Sequence, residues 1–308
     1  MRWAGVLGVL ALAGCGGVVA EAPPQAQAPA VGAPLQAANG PIEAQRRPLA
    51  VRLDRPDRLR VAWGRAPRAG LLFDLDTGEV LWRRDPLRVR PIASLTKVMT
   101  ALVAARELGP RDGVEISRAA MEVSGSRVGL FRRGRRVSAQ VLLHGALLSS
   151  GNDAATALAQ GAGGTLPEFV AMMNARARAD GLACTSFRTP HGLSSLDRSC
   201  PADLAAMARA LLDEPRLARI VRRRQVALPF PIEGGRLHLT NTNPLLRARV
   251  PGVLGIKTGY TRRAGRCLVA AVRRGGRRLG VVLLGSPDPG RQARFLVNRA
   301  GALARRGT

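Results

Sequence analysis

Ala93-Ser94-Leu95-Thr96-Lys97-Val98-Met99-Thr100 places a serine and a lysine three residues apart at the start of an apolar helical pattern. On a helix that spacing puts both side chains on one face, within hydrogen-bond reach. Val98, Leu102 and Val103 continue the pattern, so a helix is expected from about Ser94 to Leu108. A serine hydroxyl is a weak nucleophile without a base. Lys97 would be that base if burial or a second cation kept it neutral. Backbone N–H groups at the helix start would favour developing negative charge beside Ser94. Taken singly, such a pair is usually a helix cap beside an exposed lysine.

The lysine itself is unusual here. Of 48 Lys and Arg residues only Lys97 and Lys257 are lysine. Arginine stays protonated in proteins, whereas the lysine pKa of about 10.4 falls readily on burial or beside another cation. The two lysines therefore read as positions where a guanidinium would not serve. Ser149-Ser150-Gly151-Asn152-Asp153 follows an apolar helical stretch, and Lys257-Thr258-Gly259-Tyr260-Thr261 precedes an apolar strand at Cys267. A Ser-Gly-Asn loop alone is usually a turn. Ser-x-x-Lys, Ser-x-Asn and Lys-Thr-Gly in this order form the motif set of acylating serine enzymes that bind penicillin.

Around these motifs, Ala69 to Asp74 and Glu79 to Trp82 read as a hairpin turning at Asp76-Thr77-Gly78. Helices are expected at Ser138 to Leu148, Ala154 to Gln160, Leu166 to Ala179 and Pro201 to Leu212. Strands return at Gln225 to Pro229, Leu237 to Leu239, Cys267 to Val272 and Leu279 to Leu284, before a final helix from Asp288 to Arg305. Two strands, a helical middle, more strands and a terminal helix imply an α+β fold: an antiparallel sheet flanked by helices, with an inserted all-helical half.

At 308 residues with 46% apolar content, the chain holds a proper core. Arg2 and the apolar run Trp3 to Ala13 read as an export signal, too short to span a bilayer. Leu12-Ala13-Gly14-Cys15 resembles a lipoprotein cleavage box, which would make Cys15 a lipidated N-terminus anchoring the protein to a membrane. The alternative is an ordinary signal cut near Val18-Val19-Ala20, with Cys15 discarded, but the residues before Cys15 fit the lipoprotein pattern position by position. Residues 1–20 are thus expected as signal, 21–60 as a flexible Pro- and Ala-rich tether, and 61–308 as the catalytic domain. Export permits a disulfide. Cys184 with Cys200 would close a loop worth roughly 3 kcal/mol, and Cys267, on a buried strand, stays free. Three scattered His and no close cysteine pair give no zinc spacing; neither metal nor cofactor is expected.

A net charge of +27 raises the question of nucleic acid, but 3% aromatics supply no stacking platforms and an exported protein meets no genome. The clusters Arg132-Arg133-Gly134-Arg135-Arg136 and Arg273-Arg274-Gly275-Gly276-Arg277-Arg278 read as solvated turns, with attraction to anionic headgroups or wall polymers as the functional alternative.

From Ala69 to Ala304 the chain resembles the low-molecular-mass penicillin-binding proteins that act as D-alanyl-D-alanine carboxypeptidases. The segment Ala93 to Thr100 resembles their nucleophile helix, and Leu147 to Ala155 their second motif, with Gly151 in its carboxypeptidase form. Phe73-Asp74 with Thr77 to Leu81 resembles the opening hairpin, and Thr189-Pro190-His191-Gly192-Leu193, after Phe187, a loop beside the site. Ile92 replaces the usual proline. Cys200 stands where Ser or Thr usually opens the next helix, which favours pairing with Cys184. The chain ends at Thr308, so the family's C-terminal β domain and amphipathic anchor are expected to be absent.

The resemblance implies that Ser94 attacks the carbonyl between two terminal D-alanines of a peptidoglycan stem peptide, with Lys97 taking its proton. The oxyanion would lie between the backbone N–H groups of Ser94 and Tyr260. Ser150 and Lys257 would pass a proton to the leaving D-alanine. Lys257, Thr258 and Gly259 would face the terminal carboxylate, and Asn152 the peptide backbone. β-Lactam antibiotics are expected as covalent inhibitors. His191 is expected to shape its loop rather than touch substrate. An endopeptidase cutting cross-links shares this domain. A class A β-lactamase would need a carboxylate to activate water, and Glu168 in Pro167-Glu168-Phe169 reads as part of a helix face instead. A non-enzymatic wall-binding lipoprotein is the remaining alternative, against which the two retained lysines speak.

Overall fold

The structure, a computed structural model, describes residues 50–231 and 235–306. The signal segment, Cys15 and the first part of the tether lie outside the described residues. In chain order the strands are β1 (Ala69–Asp74), β2 (Val80–Arg84), β3 (Arg90–Pro91), β4 (Gly113–Glu115), β5 (Arg136–Ser138), β6 (Arg198–Ser199), β7 (Gln225–Pro229), β8 (Arg236–Thr240), β9 (Val253–Thr261), β10 (Gly265–Arg274) and β11 (Arg277–Ser286). The helices are α1 (Lys97–Glu107), α2 (Arg118–Glu122), α3 (Ala139–Leu147), α4 (Asn152–Gly163), α5 (Leu166–Ala179), α6 (Pro201–Asp213), α7 (Pro215–Val221), α8 (Pro244–Arg247) and α9 (Pro289–Arg306).

Five strands form one antiparallel sheet in the order β2-β1-β11-β10-β9. Its pleat sends alternate side chains into two cores. On one face Leu72, Leu268, Ala270, Val281 and Leu283 pack with Ala293, Leu296 and Val297 of α9. On the other, Leu71, Phe73, Val269, Ala271 and Val282 join the helical half between β3 and α7. Burial on both faces explains why β10 and β11 read as unbroken apolar runs. The expected α+β architecture, with a helical half inserted into an antiparallel sheet, is the one observed.

Three expectations need correction. The segment from residue 50 to 60, read as the end of the tether, is packed. Leu59 is 4% exposed in the α9-side core, and Arg83 Nη1 donates to the Leu53 carbonyl at 2.6 Å. Val51, Leu53 and Leu59 are too sparse to show in the composition yet suffice to line the β2 edge. Lys257 precedes the strand at Cys267, as expected, but already lies within a strand of its own, β9. Gly255 and Gly259 break the alternation of β9, so no strand is legible there. Finally, Ala93–Thr96 form a tight 3-10 turn, and the α-helix begins only at Lys97.

Candidate active site

The 3-10 turn aligns the site more directly than an α-helix would. At three residues per turn, positions 94 and 97 eclipse, and Lys97 Nζ lies 3.0 Å from Ser94 Oγ. Ala93 sits at φ +49°, so Ser94 follows a residue in the left-handed region. Gly192 (φ +87°) backs against this turn, where a Cβ would come 2.0 Å from the Ala93 carbonyl oxygen. Glycine at 192 is therefore required twice over, by conformation and by space.

Lys97 is completely buried. Besides Ser94 it donates to Asn152 Oδ1 at 2.7 Å and to the His191 carbonyl at 2.8 Å. Burial, and then the Lys257 charge, hold its pKa well below the ordinary lysine value, against the opposing pull of Asp153 and Asp197. Lys257, 1% exposed, donates to the Thr258 carbonyl at 3.0 Å, and burial lowers its pKa to about 7.

The other partners are fixed from behind. Asn152 Nδ2 donates to the Ser124 carbonyl at 2.6 Å, and the Asn152 amide to the Ser126 carbonyl at 2.7 Å. Buried Asp153 accepts from the amides of Val128 and Gly129, both at 2.9 Å. These bonds pull the Ser124–Gly129 loop over α4. Gly151 leaves room for that closure, since a Cβ there would come 2.7 Å from Asp153 Oδ1 and 2.9 Å from Val128 Cγ2. Asp197, fully buried, accepts from the amides of Arg188 and Thr189 and from the Thr189 hydroxyl. It thereby shapes the loop that presents the His191 carbonyl to Lys97. The His191 ring accepts from the Leu193 amide at 3.3 Å, and burial followed by the Lys97 charge lowers its pKa to about 4.

Ser94, Ser126, Ser150, Thr258, Gly259 and Tyr260 line one cleft of about 420 Å³. Strand β9 runs close to Ser94: a Cβ at Gly259 would lie 3.1 Å from the Ser94 amide nitrogen. Ser150, at φ +62°, is 8% exposed. Among the described residues its hydroxyl bonds to neither lysine; what it shares with Ser94 is the cleft. Tyr260 is 66% exposed at the rim.

Sequence reasoning missed Asp197, Ser126 and Thr242. Thr242 Oγ1 pairs with Thr258 Oγ1 at 2.6 Å and anchors on the Leu148 carbonyl. All three sit in turn-like stretches, where polar residues draw no notice. The one available signal was the run Asn241-Thr242-Asn243, in which both asparagines prove buried. Glu168, considered as a water activator, instead forms a capping box with Thr165 at the start of α5 and does not line the cleft. Cys184 and Cys200 form a disulfide with Cα atoms 5.6 Å apart, and Cys267 is free and buried. Asp203 lies beside the disulfide, but its carboxylate accepts from the Cys184 amide and the Thr185 hydroxyl, both at 2.7 Å. The joined sulfurs leave no thiolate to ligate a metal there.

Residues 65–288 match the model of the D-alanyl-D-alanine carboxypeptidase family. The D-alanyl-D-alanine carboxypeptidase DacB2 of Mycobacterium tuberculosis is 39% identical over 217 residues, covering 70% of this chain and 73% of that protein. A D-alanyl-D-alanine endopeptidase of Pseudomonas aeruginosa is 36% identical over 207 residues, covering 66% of each chain. The crystal structure of a D-alanyl-D-alanine carboxypeptidase from Mycobacterium tuberculosis superposes with a TM-score of 0.73 at 36% identity, covering 79% of this chain and 94% of that one. Among the curated relatives matched, the chain spans 56% to 73% of their length.

Proposed function

The chain belongs to the D-alanyl-D-alanine carboxypeptidase family, and from that premise we propose that it removes the terminal D-alanine of peptidoglycan stem peptides through an acyl-enzyme on Ser94. The observation that carries this reading is the environment of Lys97. A neutral amine has two N–H donors and one lone pair. In the neutral form the Asn152 and His191 oxygens would take the two donors, so that the lone pair would accept from the Ser94 hydroxyl 3.0 Å away. The same three oxygens would also hold an ammonium, and it is the lowered pKa that favours the neutral amine, and with it the base.

Ser94 Oγ then bonds to the carbonyl carbon as its proton passes to Lys97. The backbone N–H groups of Ser94 and Tyr260 hold the oxyanion, the position at which one lost donor typically costs about 2.7–4 kcal/mol. The C–N bond breaks, and the leaving amine takes a proton delivered through Ser150 and Lys257. Thr258, aligned by Thr242, and Lys257 receive the terminal carboxylate beside Gly259. The second Asn152 Nδ2 proton bonds the peptide backbone on the acyl side. Water attacks the ester, and Lys97 takes its proton in turn.

β-Lactams acylate the same serine. Among the described residues the one carboxylate lining the cleft is Asp288, whose Oδ1 accepts from the Arg291 amide at the start of α9; Glu168, confined to its helix cap, is not placed to speed release, which favours a lasting adduct over a lactamase. Intact-mass spectrometry of the full chain after penicillin exposure tests this. A persistent one-to-one adduct, absent in Ser94→Ala, together with D-alanine release from a D-Ala-D-Ala peptide, is expected. No adduct and no release would leave a wall-binding protein.

A wall-acting enzyme works outside the cytoplasm. Lipidation at Cys15, followed by a tether to the packed segment at residue 50, would hold it at a membrane. No helix among the described residues is long and apolar enough to cross one. Labelled palmitate incorporated by the wild type and lost in Cys15→Ala is the expected result; equal labelling would remove the anchor.

A further inference from the structure

A second cavity, of about 330 Å³, is lined by Arg65, Arg68, Gly265, Arg266, Gly285 and Ser286, and shares Arg266 with the catalytic cleft. It opens at an irregularity in the sheet. Arg266 pairs with Ser286 but Leu268 with Leu283, so β11 carries one residue more than β10 across this step. Such a bulge bends its strand and re-aims the side chains around it. Gly285, at the bulge, sits at φ +57°, and a Cβ there would come 2.6 Å from Arg68 Cδ. The Arg68 stem therefore lies on bare backbone. Buried groups fix the wall from behind. Gln292 Nε2 donates to the Arg65 carbonyl at 2.7 Å while its Oε1 accepts the Ser286 hydroxyl at 2.6 Å. The Arg68 amide donates to the Leu284 carbonyl at 3.0 Å, and Arg266 Nη1 to the Pro287 carbonyl at 2.9 Å.

Arg65, Arg68 and Arg266 are exposed. Among the described residues the ion pairs engage Arg58, Arg83, Arg118, Arg176, Arg277 and Arg278, and none of these three. Asp288, the acid next to Pro287 in sequence, lines the cleft and not this cavity, and its Oδ1 accepts from the Arg291 amide. The cavity thus gathers three cations on anchored backbone with no counter-charge of the chain's own. A carboxylate has two oxygens, which a single guanidinium fork saturates. A phosphate brings about two negative charges and three strong acceptor oxygens, enough to engage three forks at once, and the planar fork of arginine matches its geometry. We propose that Arg65, Arg68 and Arg266 bind a phosphate group, carried by the free ion or by the phosphodiester of a lipid headgroup. No bond is made or broken there. The site stands outside the acylation chemistry and does not depend on the carboxypeptidase reading.

The test is calorimetric titration of the full chain, in a phosphate-free buffer, with inorganic phosphate, acetate and glycerophosphoglycerol, the last a lipid headgroup without its acyl chains. Phosphate should bind saturably and one-to-one, about tenfold more tightly than acetate, and more weakly as salt rises. The double variant Arg65→Gln/Arg68→Gln should weaken phosphate binding at least tenfold. Its main-chain anchors, the Arg65 carbonyl and the Arg68 amide, survive the substitutions, and an unchanged rate of penicillin acylation would show that the fold survives too. Arg132→Gln/Arg133→Gln, which removes the same charge from an exposed turn, should bind phosphate like the wild type. Tighter binding of glycerophosphoglycerol than of phosphate would support the site with a lipid headgroup as its source, and the reverse order would support it with the free ion. Phosphate that does not saturate, acetate that binds equally well, or equal losses in the two double variants would each overturn the proposal, the last by reducing it to the net charge of the chain. Loss of penicillin acylation with phosphate binding intact would count against the carboxypeptidase reading and leave this site standing.

Discussion

Lys97 and Lys257 are the only two lysines of the chain, both are buried, and they are held in opposite ways. Lys97, on the helical side, touches three oxygens contributed by three separate segments. Lys257, on the sheet side, has one partner among the described residues, the carbonyl of its own neighbour Thr258. The first arrangement uses every donor of a neutral amine and fixes one lone pair. The second leaves donors unspent for something that arrives. Burial lowers both pKa values, but Lys97 also feels Lys257 as a cation. On the proposed mechanism one lysine is a preset base and the other a titrating holder of substrate charge.

The largest expected effect breaks the helical side. Lys97→Arg keeps a cation but cannot offer a lone pair, and kcat/KM should fall about a thousandfold, within the usual range for a general base. Steady-state release of D-alanine checks it, and near-normal turnover would end the base assignment. Lys257→Arg tests the sheet side. A guanidinium that stays charged can still pair with a carboxylate but delivers no proton at neutral pH, so a loss of about a hundredfold is expected, with the alkaline limb near pH 7 gone from the profile of kcat against pH.

Asp197→Asn sharpens the contrast from a distance, because Asp197 touches neither lysine and yet shapes the loop that carries the His191 carbonyl. One acceptor oxygen becomes an amide, and kcat/KM should drop about tenfold. Asp197 also raises the Lys97 pKa, so the acid limb should move to lower pH. A purely structural role would leave that limb in place.

The smallest effect is on stability. Lys257 has a pKa of about 7 when folded and about 10.4 when unfolded. Between these values the unfolded chain binds the extra proton, so stability rises with pH through this window. Cys267 acts in the opposite direction, because burial pushes its thiol up to about 11 and the unfolded thiol ionises from about pH 8.5. The difference in denaturation midpoint between wild type and Lys257→Met isolates the lysine. It should favour the wild type increasingly above pH 7; a pH-independent difference would contradict the lowered pKa.

What the sequence made legible divides along the same line. Ser94, Lys97, Ser150 and Asn152, which the structure brings together, could be picked out because they sit in short motifs beside periodic helices. Helices α5 and α6 were readable from their periodicity and from proline near their starts. Strand β9 was not, because two glycines, Gly259 against the Ala93–Thr96 turn and Gly255 against Val221, erase its alternation. Asp197 and Thr242 act through contacts between segments distant in sequence, and no local pattern encodes those. The segment before β1 was misread because three apolar side chains against a sheet edge weigh little in a Pro- and Ala-rich composition.

The most direct test uses the lysine count itself. Nitrogen and Cε labelling of lysine in the full chain gives two side-chain resonances, assigned by Lys97→Arg and Lys257→Arg, whose titration is followed by NMR. The expected result is that Lys257 titrates near pH 7 and Lys97 well below the ordinary lysine range, with the Lys97 midpoint shifting upward when Lys257 is replaced by Met. Two midpoints near 10.4 would mean that both amines are cations at neutral pH, and would contradict Lys97 as the base that activates Ser94.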